Sequence, residues 1–168
     1  MAVGGESRGI IASASYEARK FGVYTPMPTA RAYKLCPKLI VLRGDYERYE
    51  QFSHWMFNFP YDFTPDVERT SIDEGYFDLS ANRAKPATEI ALIISKAIRQ
   101  KLNITVSQGL ASNKLISQIA SKLKKPTAFQ TVAEGQEKLF LQPLPDSRVG
   151  ALWRSSPCPW SHHQRPGR

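Results

Sequence analysis

Apolar residues along this chain recur at two different periods, and the change from one period to the other marks out the elements. Tyr46, Tyr49, Phe52, Trp55, Met56 and Phe59 fall three and four residues apart, which predicts an amphipathic helix with Asp45 as its N-cap. Between Lys85 and Leu102, Ile90, Ile93, Ile94, Ala97 and Ile98 share one face and predict a second helix. A third, Ser112–Leu123, takes Ser112 as candidate N-cap and is ended by Pro126. Shorter helices are predicted from Tyr16 to a C-cap at Gly22, at Thr29–Cys36 with Pro28 in its first turn, and after a turn within residues 132–145. Strands are predicted at Arg8–Ser15 and at Asn103–Ala111, where Ile104, Val106 and Gln108 alternate with Thr105 and Ser107. The apolar run Lys38–Gly44 reads as a buried strand, and two further strands meet near Ser71–Glu74.

From Lys38 the order is β-α-β-β-α-β-α. This predicts an α+β protein with a split βαβ, ferredoxin-like sheet and helices on one of its faces. Residues 146–168 are rich in Ser, Pro and Arg and show no periodicity, so they are expected to be disordered.

Composition narrows the class. A chain of 168 residues fits one ordinary domain or two small ones, and its 42% apolar content is that of a folded protein. No signal peptide is expected at the N-terminus, and the longest apolar run, Ile90–Ile94, is far too short for a membrane span. Cys36 and Cys158, each alone, exclude a disulfide framework or a zinc knuckle and suit a reducing cytoplasm. The net charge of +8 is uneven: residues 1–45 carry +4, residues 46–86 carry −4, residues 87–145 carry +5 and the remainder +3. An acidic block between basic segments matches a metal-binding centre inside a polyanion-binding surface, although an ordinary charged surface has the same statistics.

The acidic block contains Asp73 and Glu74, adjacent within the strand-like stretch Glu68–Ser80. Adjacent strand residues point to opposite faces, so the two acids can serve one ion only at a bend. Two hard oxygen ligands suit Mg²⁺ or Mn²⁺, which take their remaining ligands from water and phosphate. For a bare Asp-Glu pair a solvated turn is the commoner explanation; the apolar residues on both sides weigh against it here. Tyr16, Arg19 and Lys20 share one helical turn, with a fork-shaped guanidinium and a hydroxyl suited to phosphate oxygens. Lys114 falls in the first turn of its helix, where the N-terminus already favours anions. Lys122, Lys124 and Lys125 read as contacts to a nucleic-acid backbone or as solvation of a helix end. His54 and Cys36 read as structural, and His162 and His163 as bystanders in the tail.

In this order the segments "RGIIASASYEARKFGV…MP", "SIDEGYFDL" and "ITVSQGLASNKLISQIASKLKKP" resemble the Y-family translesion DNA polymerases, most closely the DNA polymerase IV type, over about residues 2–145. The resemblance implies fingers over residues 1–44, a ferredoxin-like palm over 45–130, the start of a helical thumb over 131–145, and an atypical tail over 146–168. It implies that Asp73 and Glu74 are ligands of two Mg²⁺ ions, with Glu74 also a catalytic acid. It implies that Tyr16, Arg19, Lys114 and, more weakly, Ser13 hold the incoming triphosphate. Primer–template DNA and deoxynucleoside triphosphates would be the partners of a cytoplasmic monomer, with a sliding clamp as a further partner of the full-length protein.

The chain departs from the family pattern at both ends. A further catalytic aspartate on the first palm strand, and the aromatic steric gate after it, have no counterpart before Arg8. The last 23 residues do not resemble the thumb's helix–hairpin–helix, and a shifted or truncated reading frame would explain them. Gly75 stands where the family more often has alanine, at a position expected to need backbone freedom. The sequence therefore predicts a polymerase fragment, its palm lacking the first strand, that is inactive alone. The alternatives are a non-catalytic nucleic-acid-binding or interaction module and, less well supported, a palm-type nucleotidyl cyclase.

Overall fold

The computed structural model describes residues 1–5 and 9–145, so Arg8, Cys158, His162, His163 and the tail 146–168 lie outside the described residues. Packing divides the chain into two units, Met1–Gln51 and Phe52 onward. The division falls inside the helix Tyr46–Asn58.

The first unit is built on a short mixed sheet. β1 (Ala2–Gly4) runs antiparallel to β2 (Ile10–Ala14), with a register shift at Val3/Gly4. No strand is predicted at β1, because three residues ending in a glycine are too few to show alternation. α1 (Tyr16–Lys20) starts at Ser15, whose Oγ accepts the Ala18 N–H at 3.2 Å, and the chain leaves it through Gly22 at φ +82°. β3 (Met27–Pro28) leads directly into α2 (Thr29–Leu35), so Pro28 is the N-cap residue of α2 rather than part of its first turn. β4 (Val41–Leu42) pairs in parallel with β1, giving the order β3-β2-β1-β4. β4 is therefore an edge strand of this sheet and not a buried one: Leu39 is buried, but Ile40 is 63% and Leu42 46% exposed. The core is small, formed by Ala2, Ile11, Ala14, Ala18, Val23, Met27, Ala32 and Leu39. Thr29, fully buried, satisfies its hydroxyl on the Gly5 carbonyl at 3.0 Å.

α3 (Tyr46–Asn58) is capped by Asp45, whose Oδ1 accepts the Arg48 N–H at 3.0 Å. Its inward stripe is rotated from the predicted one: Tyr46, Tyr49 and Trp55 are exposed, while Ser53 is buried and Met56 packs on the core. After a 3₁₀ turn at Phe59–Asp62 come β5 (Val67–Arg69) and β6 (Gly75–Phe77), paired antiparallel. α4 (Ala87–Leu102) buries Ile90, Ile94 and Ile98 against Met56, Phe59, Phe63, Phe77, Leu79, Ile104 and Val106. Burial at about 25 cal/mol per Å² of apolar surface makes this the principal core of the second unit.

β7 (Gln108–Leu110) begins five residues later than predicted. Ile104 and Val106 are half-buried and Thr105 exposed, as the alternation requires, but no described residue pairs with them as a ladder. α5 (Lys114–Leu123) is capped by Asn113, not Ser112; the Asn113 Oδ1 accepts the Ile116 N–H at 3.0 Å. Ser112 instead donates to Glu137 Oε1 at 2.5 Å. β8 (Phe129–Thr131), too short to be predicted, pairs in parallel with β7, and α6 (Glu137–Leu141) follows.

The fold is thus α+β, and among the described residues the strands do not join into one sheet. β5–β6 and β7–β8 are separate two-stranded ladders, and β4 belongs to the other unit. Periodicity predicts strands one at a time. Joining two ladders needs backbone partners for an edge of each, and no described strand supplies them. No helix among the described residues is long and apolar enough to cross a membrane.

Candidate active site

Asp73 and Glu74 lie in the turn between β5 and β6, so strand alternation does not separate them. The turn is closed on one carbonyl: Glu74 O accepts the Thr70 N–H at 3.0 Å, the Ser71 N–H at 3.0 Å and the Thr70 hydroxyl at 2.9 Å. Ser71 then arranges both acids. Its Oγ accepts the Asp73 N–H at 3.3 Å and the Glu74 N–H at 3.0 Å, and donates to Asp73 Oδ1 at 2.8 Å. At the residue after Glu74 the strand needs room: a Cβ on Gly75 would lie 2.3 Å from Phe57 Cε1 and 2.8 Å from the Glu68 carbonyl oxygen. Gly75 has no positive φ. Its lack of a side chain serves the close approach of the Phe57 ring, not the backbone freedom expected from sequence.

One face of α5 meets this hairpin. Lys114, Gln118 and Lys122 are four residues apart and therefore stacked on adjacent turns. Lys114 forms an ion pair with Glu68 on β5, and its Nζ stands 5.6 Å from the centre of the Tyr76 ring. Lys122 Nζ is 3.0 Å from Glu74 Oε1 and 3.3 Å from Oε2, and Gln118 Nε2 is 3.5 Å from the same Oε2. Lys122 is thus an ion-pair partner of a carboxylate rather than solvation for a helix end. The half-exposed Lys122–Glu74 pair contributes about 0–1 kcal/mol to stability. Burial, and then the charges of Glu74 and Glu68, raise the Tyr76 hydroxyl above its ordinary value, so it stays protonated and able to donate. Hydrogen bonds from Ser80 hold the Asp78 carboxyl below its ordinary value, with a smaller contribution from Lys114.

The position of α5 is set by Gly109. A Cβ there would lie 2.0 Å from the Ser117 carbonyl oxygen, so β7 and α5 are in backbone contact, and the Ser117 hydroxyl donates to Gly109 O at 2.6 Å.

In the first unit, Tyr16 and Arg19 stand together on α1, with the guanidinium 5.1 Å from the centre of the Tyr16 ring. Arg19 Nε donates to Ala14 O at 3.0 Å, which fixes the fork while its two Nη groups meet no acceptor among the described residues. Ser13, on β2, is exposed, as is Tyr16.

Of the residues picked out by sequence, the structure pairs Tyr16 with Arg19. It places Asp73 and Glu74 in one turn beside α5, and it pairs Lys114 with Glu68. The sequence does not single out Ser71, Glu68 or Gln118, and it does not link Lys122 to the acids. The four-residue spacing from Lys114 would have found Gln118 and Lys122; the other two depend on the hairpin register.

The donor set at Asp73 and Glu74, hard carboxylate oxygens held by a serine, fits a divalent cation of the magnesium class. Among the described residues no group of three or more His, Cys, Asp or Glu is placed to hold a metal.

The sequence model of the impB/mucB/samB family (IMS) matches residues 1–122. DNA polymerase IV of Opitutus terrae is 54% identical over 151 residues, covering 88% of this chain and 38% of its own. Among solved structures, DinB from Sulfolobus solfataricus aligns with a TM-score of 0.77 at 31% identity, over 83% of this chain and 42% of that one. An insertion ternary complex of Dbh DNA polymerase aligns with a TM-score of 0.81 at 30% identity, over 90% and 46%. The chain spans about two fifths of the length of the curated relatives it matches. Its carboxylate turn and α1 arginine both fall within the residues matched by the family model, and with them the chain belongs to the impB/mucB/samB family, the Y-family of DNA polymerases.

Proposed function

We propose that this chain carries the nucleotide- and metal-handling part of an error-prone, DNA-directed DNA polymerase that extends primers past template lesions. Residues 1–44 would act as fingers, 45–130 as palm and 131–145 as the start of the thumb. One observation carries the reading: Asp73 and Glu74 share a serine-organised turn directly beside the helix face that bears Lys114. Phosphoryl transfer asks a protein for positioning and charge neutralisation more than for covalent chemistry.

Each side chain has a part in that. The Arg19 fork, held at Nε, offers its Nη groups to triphosphate oxygens. The Tyr16 hydroxyl and Ser13 add donors beside it. Lys114 exchanges Glu68 for phosphate when a nucleotide arrives, since a triphosphate offers a flexible ammonium far more negative charge than one exposed carboxylate. Asp73 and Glu74 would hold Mg²⁺, whose chemistry when bound is to neutralise charge on the transferring phosphoryl group and to lower the pKa of the attacking hydroxyl.

The test is nucleotide binding and Mg²⁺-dependent primer extension by the full chain. Deoxynucleotide binding is expected to weaken at least tenfold in Arg19→Ala and Lys114→Ala, a loss of about 1.4 kcal/mol or more. Extension is expected at background, because only two carboxylates converge among the described residues. Robust extension abolished by Asp73→Ala would show that two suffice. DNA binding that is salt-sensitive yet indifferent to Mg²⁺ and nucleotide would favour a non-catalytic nucleic-acid-binding module built on the basic segments.

A further inference from the structure

The contact that the proposed reaction does not use is the one between Glu74 and α5. Lys122 Nζ straddles the carboxylate at 3.0 and 3.3 Å, and Gln118 Nε2 approaches Oε2 at 3.5 Å. An ammonium and a divalent cation compete for the same oxygen lone pairs, so both cannot have Glu74 at full strength. Nor is the lysine a loose surface side chain that happens to fall there. Its side chain is 28% exposed, and its helix is seated on β7 through Gly109 and tied to the hairpin at its other end by the Lys114–Glu68 pair.

We propose that Lys122 is a built-in counter-ion for Glu74, which a divalent cation must displace before it can use that carboxylate. This inference rests on the reading of Asp73 and Glu74 as metal ligands. The device keeps Glu74 neutralised and oriented without metal, and it raises the metal concentration the site needs. The four-carbon stem of lysine lets the head group swing away once the ion arrives. The Gln118 amide, which carries no net charge, does not oppose the ion and can go on donating to Oε2.

The experiment is a titration of the full chain with Mn²⁺ alone, reading free Mn²⁺ by electron paramagnetic resonance. Wild type is compared with Lys122→Gln, Lys122→Met, Glu74→Gln and a charge control, Lys138→Gln on α6. Removing a half-exposed partner of this kind is expected to tighten Mn²⁺ binding about two- to five-fold in both Lys122 variants, and not in Lys138→Gln. Affinity in both Lys122 variants equal to the control, or weaker, overturns the counter-ion role. If at the same time Glu74→Gln abolishes wild-type binding, the metal reading stands and only this inference falls. Binding unaffected by Glu74→Gln, or absent from both wild type and the Lys122 variants, overturns the metal reading and this inference with it. A thermal-denaturation cycle on Lys122→Gln and Glu74→Gln checks the pair without metal: strict additivity would show that the contact does not form in solution.

Discussion

Gly109→Ala tests whether the position of α5 depends on backbone contact. A Cβ at this residue would sit 2.0 Å from Ser117 O and 2.8 Å from Ser121 N, both main-chain atoms of α5. Ordinary contact begins at 3.4 Å, so the shortfall at the first atom is 1.4 Å. No rotamer change can relieve it, because neither atom belongs to a side chain; the helix must move as a body. The Ser117 Oγ to Gly109 O hydrogen bond at 2.6 Å is lost as it moves. Overpacking of a close-packed contact costs about 1–3 kcal/mol and the hydrogen bond about 1 kcal/mol, together about 2–4 kcal/mol. With a urea m-value of about 2 kcal/mol/M, the unfolding midpoint of the second unit should fall by about 1–2 M. Hydrogen exchange should show the loss first in the α5 and β7 amides. The shift should also loosen Lys122 from Glu74, since the lysine is carried on this helix and the carboxylate on the β5–β6 turn. A midpoint within about 0.3 M of wild type, with α5 protection unchanged, would mean that α5 is not held by backbone contact at Gly109.

Two other perturbations follow from the same hairpin. Gly75→Ala should destabilise by about 1–3 kcal/mol because the new Cβ meets Phe57 and the Glu68 carbonyl. Phe57→Leu in the same chain should recover part of that cost, and chemical denaturation giving simply additive losses would refute the steric account. Asp78 supplies a pH dependence: its folded carboxyl lies below the ordinary value of 3.8, held there by Ser80. Its stabilising contribution is therefore present above about pH 3.8 and is lost as pH falls below that through the folded value. Asp78→Asn should make the stability profile shallower below that pH, as measured by urea midpoints from pH 2 to 5, and an unchanged acid slope would count against the Ser80 hydrogen bonds.

What the sequence determined by itself was local. The three longer helices and the caps at Asp45 and Gly22 follow from 3.6-residue spacing and capping chemistry, which neighbouring residues alone enforce. The Asp73–Glu74 pair, the Tyr16–Arg19 turn and the Lys114 helix were visible because each is a contiguous motif. What only the tertiary structure decided is partnership. A strand's ladder depends on which backbone comes alongside it, so β1, β8 and the separation of β5–β6 from β7–β8 left no trace in periodicity. Gly75 reads as a flexible residue until the Phe57 ring is found against it. Lys122 and Glu74 are 48 residues apart, and only the seating of α5 on β7 makes the lysine a counter-ion of a candidate metal ligand. Long-range electrostatics of this kind depends on distances of a few ångströms across elements, and the linear order of residues does not carry those distances.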